Sequence, residues 1–127
     1  KVLSVVVYIS PNQHINDIVK YLHLVLLPYT PRGAAELGED YDKMAMILGG
    51  DFNFNFSSDK AQTLISFLEN KLNLKMNTAR NIPSTNYKTT LDGVFSRFLN
   101  VRKPGIYVSY FSYHKPIITC IRDIEEI

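Results

Sequence analysis

Two short apolar runs limit what this 127-residue chain can become. Residues 2–9 (VLSVVVYI) are rich in β-branched side chains and end at the turn cluster Ser10-Pro11-Asn12. Residues 44–48 (MAMIL) stop abruptly at Gly49-Gly50-Asp51. Apolar runs of this length, bounded by turn residues, read as buried strands. Between them, apolar residues at 15, 18, 19, 22, 25 and 26 fall at helical spacing. Asn12 or Asn16 is placed to cap that helix and Pro28 to end it. The stretch 28–43, with two prolines, two glycines and four acids, predicts a loop.

Beyond the second strand, Ser57-Ser58-Asp59 is a cap cluster, and the spacing of Ala61, Leu64, Ile65, Leu68 and Leu72 predicts a helix over 60–72. Residues 75–90 are polar and turn-like, and short strands are expected at 91–95, 105–110 and 116–121. The order β-α-β-α-β-β-β belongs to a layered α/β or α+β architecture. A hydrophobic fraction of 46% and a charged fraction of 20% exclude a disordered chain. The single cysteine, Cys120, excludes an internal disulfide framework and a multi-cysteine zinc site. No apolar run approaches the length of a membrane span. The chain opens without Met, directly on a strand, and reads as an excerpt from something longer.

Charge is divided unevenly. Residues 1–59 hold four Lys/Arg against seven Asp/Glu, and residues 60–127 hold ten against five. Within 71–115 there are eight basic residues and one acid, Asp92. Such a segment suits a polyanionic partner, or else a solvated basic face.

Three groups of residues carry recognisable chemistry. In Gly49-Gly50-Asp51-Phe52-Asn53, a carboxylate and an amide follow a strand at its C-terminal end, where open α/β folds place ligands. If the chain stays extended there, Asp51 and Asn53 point to one side and suit a water and a phosphoryl oxygen; an Asx turn closing the strand exit is the other reading. Asp92 sits inside the strand-like TTLDGVF, where Asp is disfavoured unless it faces water or serves a site. His114, in SYHKPI, precedes the last strand. It suits a loop packing role, or a phosphate contact or proton transfer, with Asp92 as the carboxylate that orients it.

Taken in this order, GGDFN, TTLDGVF and SYHKPI resemble the endonuclease/exonuclease/phosphatase family, in particular abasic-site endonucleases and the endonuclease domains of mobile elements. The opening VVVYISPN is similar to the family's central strand with its Tyr. The resemblance implies that the chain is the C-terminal half of a family domain, with the N-terminal half absent. The fold it implies is half of a four-layer α/β sandwich: one mixed, mainly antiparallel sheet with two helices on its outer face and an inner face lacking its cover. It further implies divalent-metal-dependent phosphodiester hydrolysis, with DNA as the substrate and no membrane partner. Asp51 then orients or deprotonates the attacking water, and Asn53 contacts the scissile phosphate or places that water. Asp92 fixes the ring of His114, His114 binds a phosphate oxygen, and Tyr8 reaches the same phosphate. The implied cofactor is Mg²⁺ or Mn²⁺, with its main ligand outside this chain. Where the family has Ser-Asp-His, this sequence has Ser112-Tyr113-His114. That departure leaves room for a degenerate relative that binds nucleic acid without cutting it, and the family's breadth for a phosphoesterase with another substrate.

Overall fold

The computed structural model describes residues 2–100 and the backbone pairing of 105–106 with 117–118. The strands are β1 (Val2–Tyr8), β2 (Ala45–Asp51), β3 (Lys75–Met76), β4 (Asp92–Arg97), β5 (Gly105–Ile106) and β6 (Ile117–Ile118). The helices are α1 (Ile15–Val25), α2 (Pro31–Leu37) and α3 (Ala61–Leu72). Strands β1 to β4 form one mixed sheet in the order β1-β2-β4-β3. β1 and β2 run parallel, with α1 and α2 in the connection, and the β2–β4 and β3–β4 pairs are antiparallel. This is the mixed, mainly antiparallel α/β sheet anticipated above. β5 and β6 pair separately as a two-stranded antiparallel unit.

Alternation of side chains gives the sheet two unlike faces. Val7, Ile9, Met46, Leu48 and Phe95 are buried in one core with Ile18 and Leu22 of α1 and Leu64, Leu68 and Leu72 of α3. Phe52, Phe56 and Phe95 close that core under the end of β2, with ring centroids 5.1–5.9 Å apart in edge-on and tilted contacts. The opposite face carries Val2, Val6 and Tyr8, which are exposed, with Val6 at 89%.

The stretch expected to be a loop at 28–43 contains α2, flanked by single 3₁₀ turns at Leu27–Tyr29 and Tyr41–Lys43. Its prolines and glycines punctuate a helix instead of breaking one. Thr30 is the N-cap and its Oγ1 accepts from Gly33 N at 3.0 Å; Pro31 occupies the first turn, and Gly38 closes the helix at φ 68°. Three helices are therefore described where two were expected. The cap of α1 is His14, not Asn12 or Asn16: its Nδ1 accepts from Asn16 N at 3.2 Å. His23 packs against Phe67, with ring centroids 5.7 Å apart. No helix among the described residues is long and apolar enough to cross a membrane.

Two arginines hold the layers together. Arg97, 3% exposed, donates from Nε to Met44 O, from Nη1 to Tyr29 O and Leu72 O, and from Nη2 to Tyr41 O, all at 2.8–3.0 Å. It thus ties both 3₁₀ turns, the approach to β2 and the C-terminus of α3 to the end of β4. Arg80 donates to Phe56 O, Ser58 O and the Gln62 side chain at 2.8–3.1 Å, fastening the loop after β2 to the start of α3.

Candidate active site

β1 and β2 end together, and β4 begins beside them. The register pairs Tyr8 with Asp51 and Asp51 with Asp92. Paired residues of adjacent strands share a face, so these three lie in one row. The neighbours of that row fix which face it is. Val7 and Phe52 are buried in the core, and a Cβ on Gly93 would meet Phe56 and Phe95 at 3.1–3.3 Å. Tyr8, Asp51 and Asp92 consequently project from the open face, Tyr8 being 68% exposed. Directly opposed residues on an antiparallel pair have Cβ atoms about 5 Å apart, and two carboxylates there repel.

The loop after β2 is built to hold this arrangement. Gly50 has φ 150°, and a Cβ there would lie 1.9 Å from the carbonyl oxygen of Val7, so only glycine lets β1 and β2 stay paired at this point. Asp51 Oδ1 accepts from Asn53 N at 2.9 Å, and Asn53 enters the left-handed region at φ 47°. Asn53 Nδ2 donates to Ile9 O at 2.6 Å. The chain therefore turns at Asn53 and does not stay extended, so of the two readings of the Asp51–Asn53 pair the turn is the one the structure shows. The Asx turn is present, and Asn53 lashes the ends of β1 and β2 together. Phe52, buried between them, anchors the turn from below.

Asp92 is held just as firmly through its backbone. Ser84, fully buried, accepts from Leu91 N at 2.9 Å and from Asp92 N at 3.1 Å through Oγ. Asn55 Oδ1 accepts from Thr90 N at 3.0 Å, joining the loop after β2 to the segment leading into β4. Ser84 and Asn55 escaped the sequence reading because they lie in polar stretches without periodicity and act across eight and 35 residues respectively.

The structure brings together Tyr8, Asp51, Asn53 and Asp92. His114 lies outside the described residues, as does Tyr113. As donors, two facing carboxylates fit a hard divalent cation, which takes oxygen ligands. Among the described residues no group of three or more His, Cys, Asp or Glu gathers into a full metal site. Asp51 and Asp92 offer two oxygen-donor groups in this row, fewer than a hard cation's full shell.

A groove of about 270 Å³ opens beside Tyr8, between the end of β1 and α1. Tyr21, 56% exposed, faces into it from α1. No protein-family model matches the chain, and no curated protein is significantly similar to it.

Proposed function

We propose that this chain carries part of the site of a divalent-metal-dependent phosphodiesterase, an endonuclease acting on DNA within a longer protein. The observation that carries this reading is the register-matched row of Tyr8, Asp51 and Asp92 on the open face, braced by the Asn53 turn. When bound, a divalent cation would take oxygen ligands from Asp51 and Asp92, its main ligand coming from outside this chain. That cation would supply Lewis-acid activation of the phosphoryl group. Asp51 orients the attacking water and takes its proton. Asn53 helps place that water from a turn already fixed by the Ile9 carbonyl. Tyr8 donates its hydroxyl to a phosphate oxygen, and the resemblance assigns His114, which lies outside the described residues, to the charge that develops there. The half-apolar open face supports the half-domain reading, since a second layer covers such a surface well.

The test is Mg²⁺-dependent nicking of supercoiled DNA by the protein as expressed from its gene. Nicking abolished by Asp51→Ala and by Asp92→Ala supports the reading. Nicking indifferent to both substitutions overturns it. Tyr113, where the family has Asp, favours a second reading: a relative that binds nucleic acid without cutting it. Tyr113→Asp then creates cleavage in a protein that had none, whereas robust nicking by the unaltered protein removes this alternative.

A further inference from the structure

The groove beside the acidic row has a chemistry of its own. Its walls include Tyr8, Ile18 and Tyr21, and its polar edge is Ser10, Gln13 and Asp17. Gln13 Nε2 donates to Ser10 Oγ at 3.3 Å, which holds that edge together. Its volume, about 270 Å³, falls just below the roughly 300–1,000 Å³ of pockets for drug-sized ligands, so it suits one planar ring system and not a long chain. Two exposed tyrosines offer faces for stacking, the usual way an unpaired base is held without sequence readout. Among the described residues Asp17 is the only charged one lining it, which makes the groove a poor seat for phosphate and a good one for a hydrogen-bond donor.

We propose that this groove binds a nucleobase bearing an exocyclic amine, cytosine above all, with Asp17 accepting from the amine and Tyr21 stacking on the ring. A carboxylate accepting from the cytosine N4 amino group is a standard pairing, and uracil or thymine offers an acceptor at that position instead. The assignment deepens the phosphodiesterase reading and rests on it for its place in the reaction. Tyr8 belongs both to the groove and to the Asp51–Asp92 row, so a base held in the groove sets the adjoining phosphate beside the two carboxylates. A base must leave its stack to enter, which makes single-stranded or locally opened DNA the preferred substrate.

The experiment titrates the full chain with cytidine and, separately, with uridine, following the methyl NMR signals of Ile9 and Ile18, which line the groove. Cytidine is expected to shift both methyls and uridine to bind several-fold more weakly. Tyr21→Ala should weaken cytidine about fivefold or more, and Tyr21→Phe, which keeps the ring, should not. Asp17→Asn should erase the preference for cytidine. Equal binding of the two nucleosides to the unaltered chain, shifts confined to other methyls, or indifference to Tyr21→Ala would each overturn the assignment. Nucleosides carry no phosphate, so the two readings fail separately. A chain that binds cytidine here but never nicks DNA keeps the groove and loses the hydrolase. A chain that nicks through Asp51 and ignores cytidine loses only the groove.

Discussion

Removing the Arg97 guanidinium tests how much of the fold hangs on one buried cation. Four of its five N–H groups donate to the carbonyls of Tyr29, Tyr41, Met44 and Leu72. No salt bridge to a carboxylate is formed by Arg97 among the described residues. Leu72 is the last residue of α3, so its carbonyl lies at the negative end of the helix dipole. Hydrogen bonds to a charged group contribute about 1.5–3 kcal/mol each, and a buried group left without its partner costs about 1–3 kcal/mol. Against this stands the penalty of burying the charge, several kcal/mol, which vanishes with the side chain. The balance for Arg97→Met is a loss of about 3–5 kcal/mol, a large part of the roughly 5–15 kcal/mol that stabilises a domain of this kind.

Urea unfolding followed by far-ultraviolet circular dichroism measures it, since the chain has no Trp to report. Arg97→Lys should recover only part of the loss, because an ammonium cannot span the fork that reaches four carbonyls on separate elements. The pH dependence is specific as well. Burial pushes the guanidinium below its ordinary value, while Asp42 and Tyr29 pull it back up. A base with a lowered folded-state value destabilises the fold while charged in the unfolded chain, and relief comes only as pH rises through the folded value. Arginine stays charged throughout working pH, so that window is never reached and the loss in Arg97→Met should be the same at about pH 6 and about pH 9. A loss under about 1 kcal/mol, equal stability of the Lys and Met variants, or a strong pH dependence of the difference would refute the clamp.

Four further outcomes are expected. Gly50→Ala should destabilise the chain by more than about 3 kcal/mol, or prevent folding, because its Cβ would lie 1.9 Å from Val7 O; urea midpoints compared with Gly38→Ala, whose Cβ meets nothing within 4 Å, isolate the steric part. Ser84→Ala removes the acceptor shared by Leu91 N and Asp92 N and should cost about 1–3 kcal/mol, with faster amide exchange at Asp92 as its local signature. Millimolar Mg²⁺ or Mn²⁺ should raise the melting temperature of the unaltered chain, and Asp51→Asn or Asp92→Asn should reduce or abolish that rise; a rise unchanged in both variants would place the cation elsewhere. Lys75→Gln and Lys88→Gln, both at exposed positions, should each flatten the salt dependence of DNA binding by about one phosphate contact, whereas Arg80→Gln should lower stability and leave that slope alone.

Much of the architecture was legible in the chain because burial writes periodicity. β1, β2, α1 and α3 stand close to where runs of Val, Ile, Leu and Met placed them, since each presents one face to a common core. α2 was missed because seven residues with only a small buried patch, Gly33 and Ala34, leave too few apolar positions to show a period. Its Thr30 cap, Pro31 start and Gly38 stop were legible but were read as loop chemistry. For the candidate site, Gly50 and the Asx pair were visible as local signals. The alignment of Tyr8 with Asp51 and Asp92 was not, because register across three strands is set by tertiary pairing. The basic segment was read as one surface, yet Arg80 and Arg97 point their guanidinium groups at backbone carbonyls and Phe95 lies fully in the core, leaving Tyr87 and Phe98 as its exposed aromatics among the described residues.

The division of labour between the two faces of the sheet bears on how substitutions at the site should be interpreted. Several contacts that fix the position of Asp51 and Asp92 act through backbone or from the core side: the Val7–Gly50 approach, the Phe52–Phe56–Phe95 cluster, the Ser84 hydroxyl and the Asn53 amide. The two residues are directly opposed in the register on the open side, where like charges are disfavoured by an amount on the order of the 0.2–1 kcal/mol typical of cross-strand pairs. Neutralising either one should therefore leave the fold intact or slightly firmer while removing charge from the row. Asparagine is the informative replacement at Asp51, because its Oδ1 can still accept from Asn53 N and preserve the turn. Loss of cation binding without loss of stability in Asp51→Asn would separate function from scaffold. A collapse of stability in the same variant would mean that the row is a structural element whose charges take part in contacts the fold depends on.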